Sequence, residues 1–250
     1  MKQKGQFLLF TDRNEFRAWL NKATFSRKIT RLQDHHTWEP SYNDFNGSNH
    51  FEMLQDMKDY HMKKMGYHDI AQNLTTFPDG SIAVCRPIDD MPAGILGANP
   101  GALCIENIGD FDSGRDVMTI AHKETIIFVN AACAIKFKLA VNNTTILYHH
   151  WFDQDTGVRT NGTGDTKTCP GTNFFGGNTV DSAQKFFYPQ ISSKIQTLTN
   201  EPLDKALDFI SAKTGINKEH WFNSALTTDW LPECFTKIAD AWQKDINKPA

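Results

Sequence analysis

Two short apolar segments of this chain each run into a histidine pair. Residues 29–34 alternate β-branched or apolar side chains with polar ones before His35-His36, and residues 146–152 return to strand character and carry His149-His150. Both segments read as strands of a sheet. Neighbouring side chains of a strand point to opposite faces, so each pair offers one histidine to one face and a bystander to the other. Alternation alone does not choose between His35 and His36, or between His149 and His150.

The rest of the pattern alternates strands with helices. Phe7–Phe10 is a short apolar strand, and Asp12 with Glu15 resembles a capping pair opening a helix with Phe16, Trp19 and Leu20 on one face. Phe51, Leu54, Met57, His61 and Met65 recur at helical spacing up to Gly66. Residues 69–77 and 81–86 read as strands joined by the turn Pro78-Asp79-Gly80, and residues 102–108 form an apolar run broken by Glu106. Asp116 or Thr119 caps a further helix bearing Ile126, Val129, Cys133 and Phe137. This order predicts an α/β fold with a mixed central sheet flanked by helices. Residues 1–200 are expected to be the main domain. Residues 201–250, with Leu203, Leu207 and Ile210 and then Trp221, Trp230 and Trp242, are expected to be a small helical module whose tryptophans anchor its core.

The histidine pairs gain meaning from Cys169, set in Lys167-Thr168-Cys169-Pro170-Gly171. Two imidazoles and one thiolate suit zinc, and three protein ligands leave a fourth position for water or substrate. Lys167 gives Cys169 a reason to ionise. Cys85, Cys104 and Cys133 lie in apolar runs and read as core residues. His50, His68, His122 and His220 carry no such pattern.

A net charge of -3 with mixed signs leaves no basic stripe, which argues against a nucleic-acid partner. Five widely spaced cysteines do not form a disulfide framework. The apolar run near Met1 is too brief for a signal-peptide core, and no stretch approaches a membrane span. Synthesis in the cytoplasm is therefore expected, with any action outside needing a separate export route.

His35-His36-Thr37, Tyr60-His61-Met62, Gly66-Tyr67-His68-Asp69-Ile70, Pro78-Asp79-Gly80, Ile105-Glu106 and Lys167-Thr168-Cys169-Pro170-Gly171 together resemble the zinc amidases of the type-2 N-acetylmuramoyl-L-alanine amidase and peptidoglycan-recognition-protein superfamily. The motifs occur in the family's order over roughly residues 28–195. The resemblance implies a Zn²⁺ ion held by His35, His149 and Cys169, with Glu106 handling protons and Lys167 stabilising an oxyanion. His61 is implied to pack and to support its neighbours.

Two departures stand out. Gln72 occupies the place where some relatives have a tyrosine near the metal, which shifts proton handling to Glu106. The interval between His149 and Cys169 is long and polar, and is expected to form one lip of a substrate groove, with Thr172 to Asn178 adding to it and offering an aromatic contact.

The implied activity is hydrolysis of the amide between N-acetylmuramic acid and L-alanine of the peptidoglycan stem peptide, with peptidoglycan or muropeptides as partner. A lysin, a delivered antibacterial effector and a recycling enzyme all fit that activity. The alternatives are a peptidoglycan-binding protein of the same fold that does not cut, and a structural zinc domain, which needs a fourth protein ligand.

Overall fold

The apolar segments pair into one seven-stranded sheet. Its strands are β1 (Lys2–Lys4), β2 (Phe7–Phe10), β3 (Arg31–His36), β4 (Leu74–Thr76), β5 (Ile82–Val84), β6 (Ala102–Asn107) and β7 (Ile146–Tyr148), in the order β1-β2-β5-β4-β6-β3-β7. In this computed structural model residues 1–215 and 236–237 are described. The chain divides into two units, Met1–Ile195 and Gln196–Ala250.

Strands β4, β6, β3 and β7 run parallel to their neighbours, whereas β1, β2 and β5 are antiparallel, as is the β4–β5 hairpin. That hairpin turns where the sequence predicts it. Asp79 accepts the Ser81 amide at 2.9 Å, and Gly80 takes φ +87°. A left-handed backbone of this kind is open to glycine at little cost.

Strand alternation separates two cores. On one face, Phe7 and Leu9 of β2 and Ala83 of β5 pack with Met53, Leu54 and Met57 of helix α2 (His50–Lys63). On the other, Phe10 meets Phe16 and Trp19 of α1 (Arg13–Lys22), and α3 (Ile120–Phe137) reaches Thr76 and Asp34. Asp12 caps α1 by accepting the Asn14 amide, while Glu15, expected to share the cap, pairs with the amino terminus of Met1. Thr119 caps α3. Asp116, the alternative cap, instead accepts the amides of Tyr42 and Asp110.

Three differences from the sequence reading matter. Strand β7 ends at Tyr148, and the second histidine pair lies in a 3₁₀ turn, His149–Trp151, because the Phe152 amide bonds back to the His149 carbonyl at 3.1 Å. A turn at Val180–Ser182 (α4) continues through a π-helical stretch, Ala183–Phe187, into α5 (Tyr188–Thr214), so helix begins well before residue 200. Strand β1 was not foreseen, since its Lys-Gln-Lys sequence has no apolar face. Trp221, Trp230 and Trp242 lie outside the described residues.

Behind the sheet, Asp34 is fully buried, and its Oδ1 accepts from Asn130 Nδ2 at 2.9 Å. Burial pushes its pKa up to about 7, partly offset by hydrogen bonds from Asn130 and Asn107. The folded chain therefore holds a proton that the unfolded chain releases near its ordinary value of 3.8. Between those pH values the unfolded state binds fewer protons, so this group's contribution to stability is lost as pH rises. We expect the melting temperature of Asp34→Asn relative to wild type to rise by several degrees between pH 4 and pH 8. A difference that stays flat across thermal melts in this range would show that Asp34 does not titrate in the fold.

Candidate metal centre

The site begins with register. In the parallel pairing of β3 with β6, His35 stands beside Glu106. In the pairing of β3 with β7, Asp34 stands beside Tyr148, so the next residue, His149, comes level with His35. Side chains of in-register neighbours share a face. Glu106, His35 and His149 thus form one row at the carboxyl ends of three adjacent strands, where ligand sites of open α/β sheets lie. The His35 and His149 rings are 4.9 Å apart, centroid to centroid.

Cys169 closes the row from a loop. Its Sγ lies 3.4 Å from His35 Nδ1, and one ligand atom from each of His35, His149 and Cys169 falls within 4.8 Å of the others. Zn–N bonds of about 2.0–2.1 Å and Zn–S bonds of about 2.3 Å place tetrahedral N and S ligands about 3.5 Å apart. The donor set and its spacing therefore fit a zinc-sized ion, and the cluster can hold a metal.

The bystander histidines hold that loop in place. His36 Nδ1 accepts the Phe111 amide at 3.0 Å; next in the chain, the Asp112 carboxylate accepts from the Thr168 hydroxyl at 2.9 Å and the Thr172 amide at 2.8 Å. From the other side, the His150 amide donates to the Cys169 carbonyl and His150 Nδ1 to the Lys167 carbonyl, each at 2.7 Å. Both partners of each pair are used, one at the cluster and one behind it. Gly171 permits the fit, because a Cβ there would sit 2.5 Å from the Phe111 carbonyl.

Electrostatics suit a cation. Burial, with positive neighbours including Lys167, lowers the pKa of His35 well below normal and that of His149 to about 3, so both imidazoles are neutral and free to ligate. The sequence reading expected Lys167 to ionise Cys169. Instead burial and the nearby Glu106 carboxyl push the thiol well up, and Lys167 only partly opposes them. A metal bound at this cluster would ionise Cys169, because coordination deprotonates a thiol outright. Burial also raises Glu106 to about 8, again opposed by Lys167.

These residues line a groove of about 1190 Å³ together with Trp38, Asp44, Asn49 and Tyr60. His61 belongs to its lining and accepts the Ala71 amide at 3.1 Å through Nδ1, the supporting role expected of it. The expected lip is only partly present. Lys167, Thr168 and Cys169 line the groove, but residues 153–166 and 172–178 do not, and Phe174 and Phe175 are buried in an aromatic cluster with Phe187. Gln72 is buried, donates to Thr75 at 3.0 Å, and contributes nothing to the lining.

Gly94 is a site residue that sequence reasoning missed. A Cβ there would lie 2.2 Å from Gln33 Oε1 and 3.1 Å from His35 Nε2. Gln33 meanwhile pins the loop to the sheet, donating to the Ala98 carbonyl at 3.0 Å and accepting the Ile95 amide. Only the sequence separation of 61 residues hid the contact.

No family model matches the chain, and neither does any curated protein. Among solved structures the chain is similar to wild-type Drosophila PGRP-LB, at 19% identity and TM-score 0.49, over 66% of this chain and 85% of that one. It is also similar to the N-acetylmuramoyl-L-alanine amidase LysC from Clostridium intestinale URNW, at 19% identity and TM-score 0.45, over 68% and 87%. A third is peptidoglycan recognition protein-LE in complex with tracheal cytotoxin, at 22% identity and TM-score 0.42, over 49% and 69%. No helix among the described residues is long and apolar enough to cross a membrane.

Metal titration followed calorimetrically checks the ligand set. Cys169→Ala should lose high-affinity Zn²⁺ binding, while His150→Ala should weaken it by about 10- to 100-fold, as loss of a group behind the ligands does. Gly94→Ala should weaken binding by displacing Gln33 and His35. Equal affinities for Cys169→Ala and wild type would remove Cys169 from the set.

Proposed function

We propose that the chain is a zinc-dependent amidase that cleaves the bond between N-acetylmuramic acid and the L-alanine of peptidoglycan stem peptides. The observation that carries this reading is the convergence of His35, His149 and Cys169 within 4.8 Å in the lining of a groove, with Glu106 in register beside His35. The motif resemblance supplies the bond and the substrate class.

His35, His149 and Cys169 would hold the ion. When bound there, Zn²⁺ supplies Lewis-acid activation of water and of the substrate carbonyl at neutral pH. Every other task falls to the chain. Glu106, raised to about 8 by its half-buried setting, has a proton affinity close to neutral pH, where a carboxyl can both accept and return a proton. It takes the proton of the attacking water and delivers it to the departing alanine nitrogen. The Lys167 ammonium, exposed in the groove wall, stabilises negative charge gathering on the amide oxygen. A donor in that role contributes about 3 kcal/mol.

Mass spectrometry of muropeptides incubated with the protein tests the reading by naming the bond broken. Wild type should release stem peptides beginning with L-alanine, and a chelator should stop the release. Glu106→Gln should keep zinc and lose about 100-fold or more in kcat, and Lys167→Met should lose about 100-fold. Binding of muropeptides without release by the zinc-loaded wild type would make the chain a recognition protein instead.

A further inference from the structure

Trp38 is the residue of the groove that the cluster chemistry leaves unexplained. It follows His35-His36-Thr37 directly, it lines the groove, and its side chain is 59% exposed. It is also one of the four non-glycine residues among the described ones with positive φ, at +58°. Such a backbone is strained for a bulky residue, and it persists only where the surroundings impose it.

The surroundings do impose it. The Trp38 amide donates to the Gly109 carbonyl at 3.0 Å, and the Glu39 amide to the Thr37 carbonyl at 2.7 Å. The Thr37 hydroxyl donates to the Pro40 carbonyl at 2.6 Å and accepts the Gly109 amide at 2.8 Å. None of these bonds uses the indole. The network fixes where the ring stands and leaves it in solvent, which is the opposite of what burial of a large aromatic would achieve.

The neighbours narrow what the ring can meet. Glu39, Asp44, Asn46 and Asn49 line the same groove. Two of them are held rigid: Asp44 accepts the Ser41 amide at 2.7 Å, and Asn49 donates to the Asp44 carbonyl at 2.8 Å. An aliphatic ligand would leave these polar groups desolvated and unpaired. An anionic one would face Glu39, Asp44, Glu52 and Asp56, with Lys167 the lysine of the lining. A pyranose ring meets both demands, since one face carries only C–H bonds that stack on an aromatic face while its rim carries hydroxyl and acetamido groups.

We propose that Trp38 is a stacking platform for an N-acetylhexosamine ring, so that the groove engages the glycan as well as the peptide of its substrate. This rests on the amidase reading only for its biological ligand. Saccharide binding is measurable without metal and without hydrolysis.

The test is calorimetric titration of the full chain, treated with chelator, with N-acetylglucosamine tetramer, alongside muropeptide release kinetics on the zinc-loaded protein. Wild type should bind the tetramer, Trp38→Phe should stay within about threefold, and Trp38→Ala and Trp38→Gly should each lose about tenfold or more. Trp38→Gly should melt at or above the wild-type temperature, because glycine carries no penalty at this φ. In the release assay the same loss should appear in KM with kcat retained. A wild type that binds no tetramer, or an Ala variant that binds like wild type, overturns the platform. Tetramer binding by a wild type that releases no peptide retains the platform and removes the amidase reading.

Discussion

The parallel pairing of β3 with β6 and β7 is the constraint on which the site depends. It sets Glu106, His35 and His149 abreast on one face. A one-residue slip in either ladder would turn a ligand or the acid to the opposite face, because side-chain direction repeats every two residues. Both faces of the sheet are packed, α2 on one and α3 on the other, so the cost of such a slip is the burial of two cores. The geometry of the cluster is thereby set by hydrophobic packing rather than by its own residues.

A second layer of order comes from polar groups that never touch the cluster. His36, Asp112 and His150 fasten the Cys169 loop from both sides. Asn107 donates to the His35 carbonyl at 2.7 Å and its Oδ1 accepts from Thr76, which meets His122 at 2.7 Å. His122 in turn meets the Tyr42 hydroxyl at 2.7 Å, tying the strand that carries His35 to the loop that borders the groove. Burial holds the His122 pKa down to about 3, so this chain of bonds keeps one protonation pattern across the working pH range. His122, which looked ordinary in the sequence, is part of the frame.

The same low-dielectric setting explains the opposed behaviour of the groups at the centre. Desolvation disfavours charge of either sign, so it lowers the pKa of His35 and His149 and at the same time raises that of Cys169 and Glu106. A cluster of neutral imidazoles and a thiol suits a cation, whose charge would compensate a thiolate at Cys169. The exposed Lys167 sits at the solvent edge, where its charge is cheap to keep.

Local chemistry alone was enough for much of this. Asp79-Gly80 makes a turn from its own residues, Thr119 can cap a helix without distant help, and β3, β6 and β7 read as strands of a mixed sheet. The motif order likewise pointed to His35, His149, Cys169, Glu106 and Lys167. What the chain could not declare was any property set by residues far apart in it. The buried fate of Phe174 and Phe175 follows from a cluster with Phe187, and the raised pKa of Cys169 from its own burial, with the Glu106 carboxyl beside it. Spacing encodes direction along a strand, but register, desolvation and close approach arise only when separate segments meet.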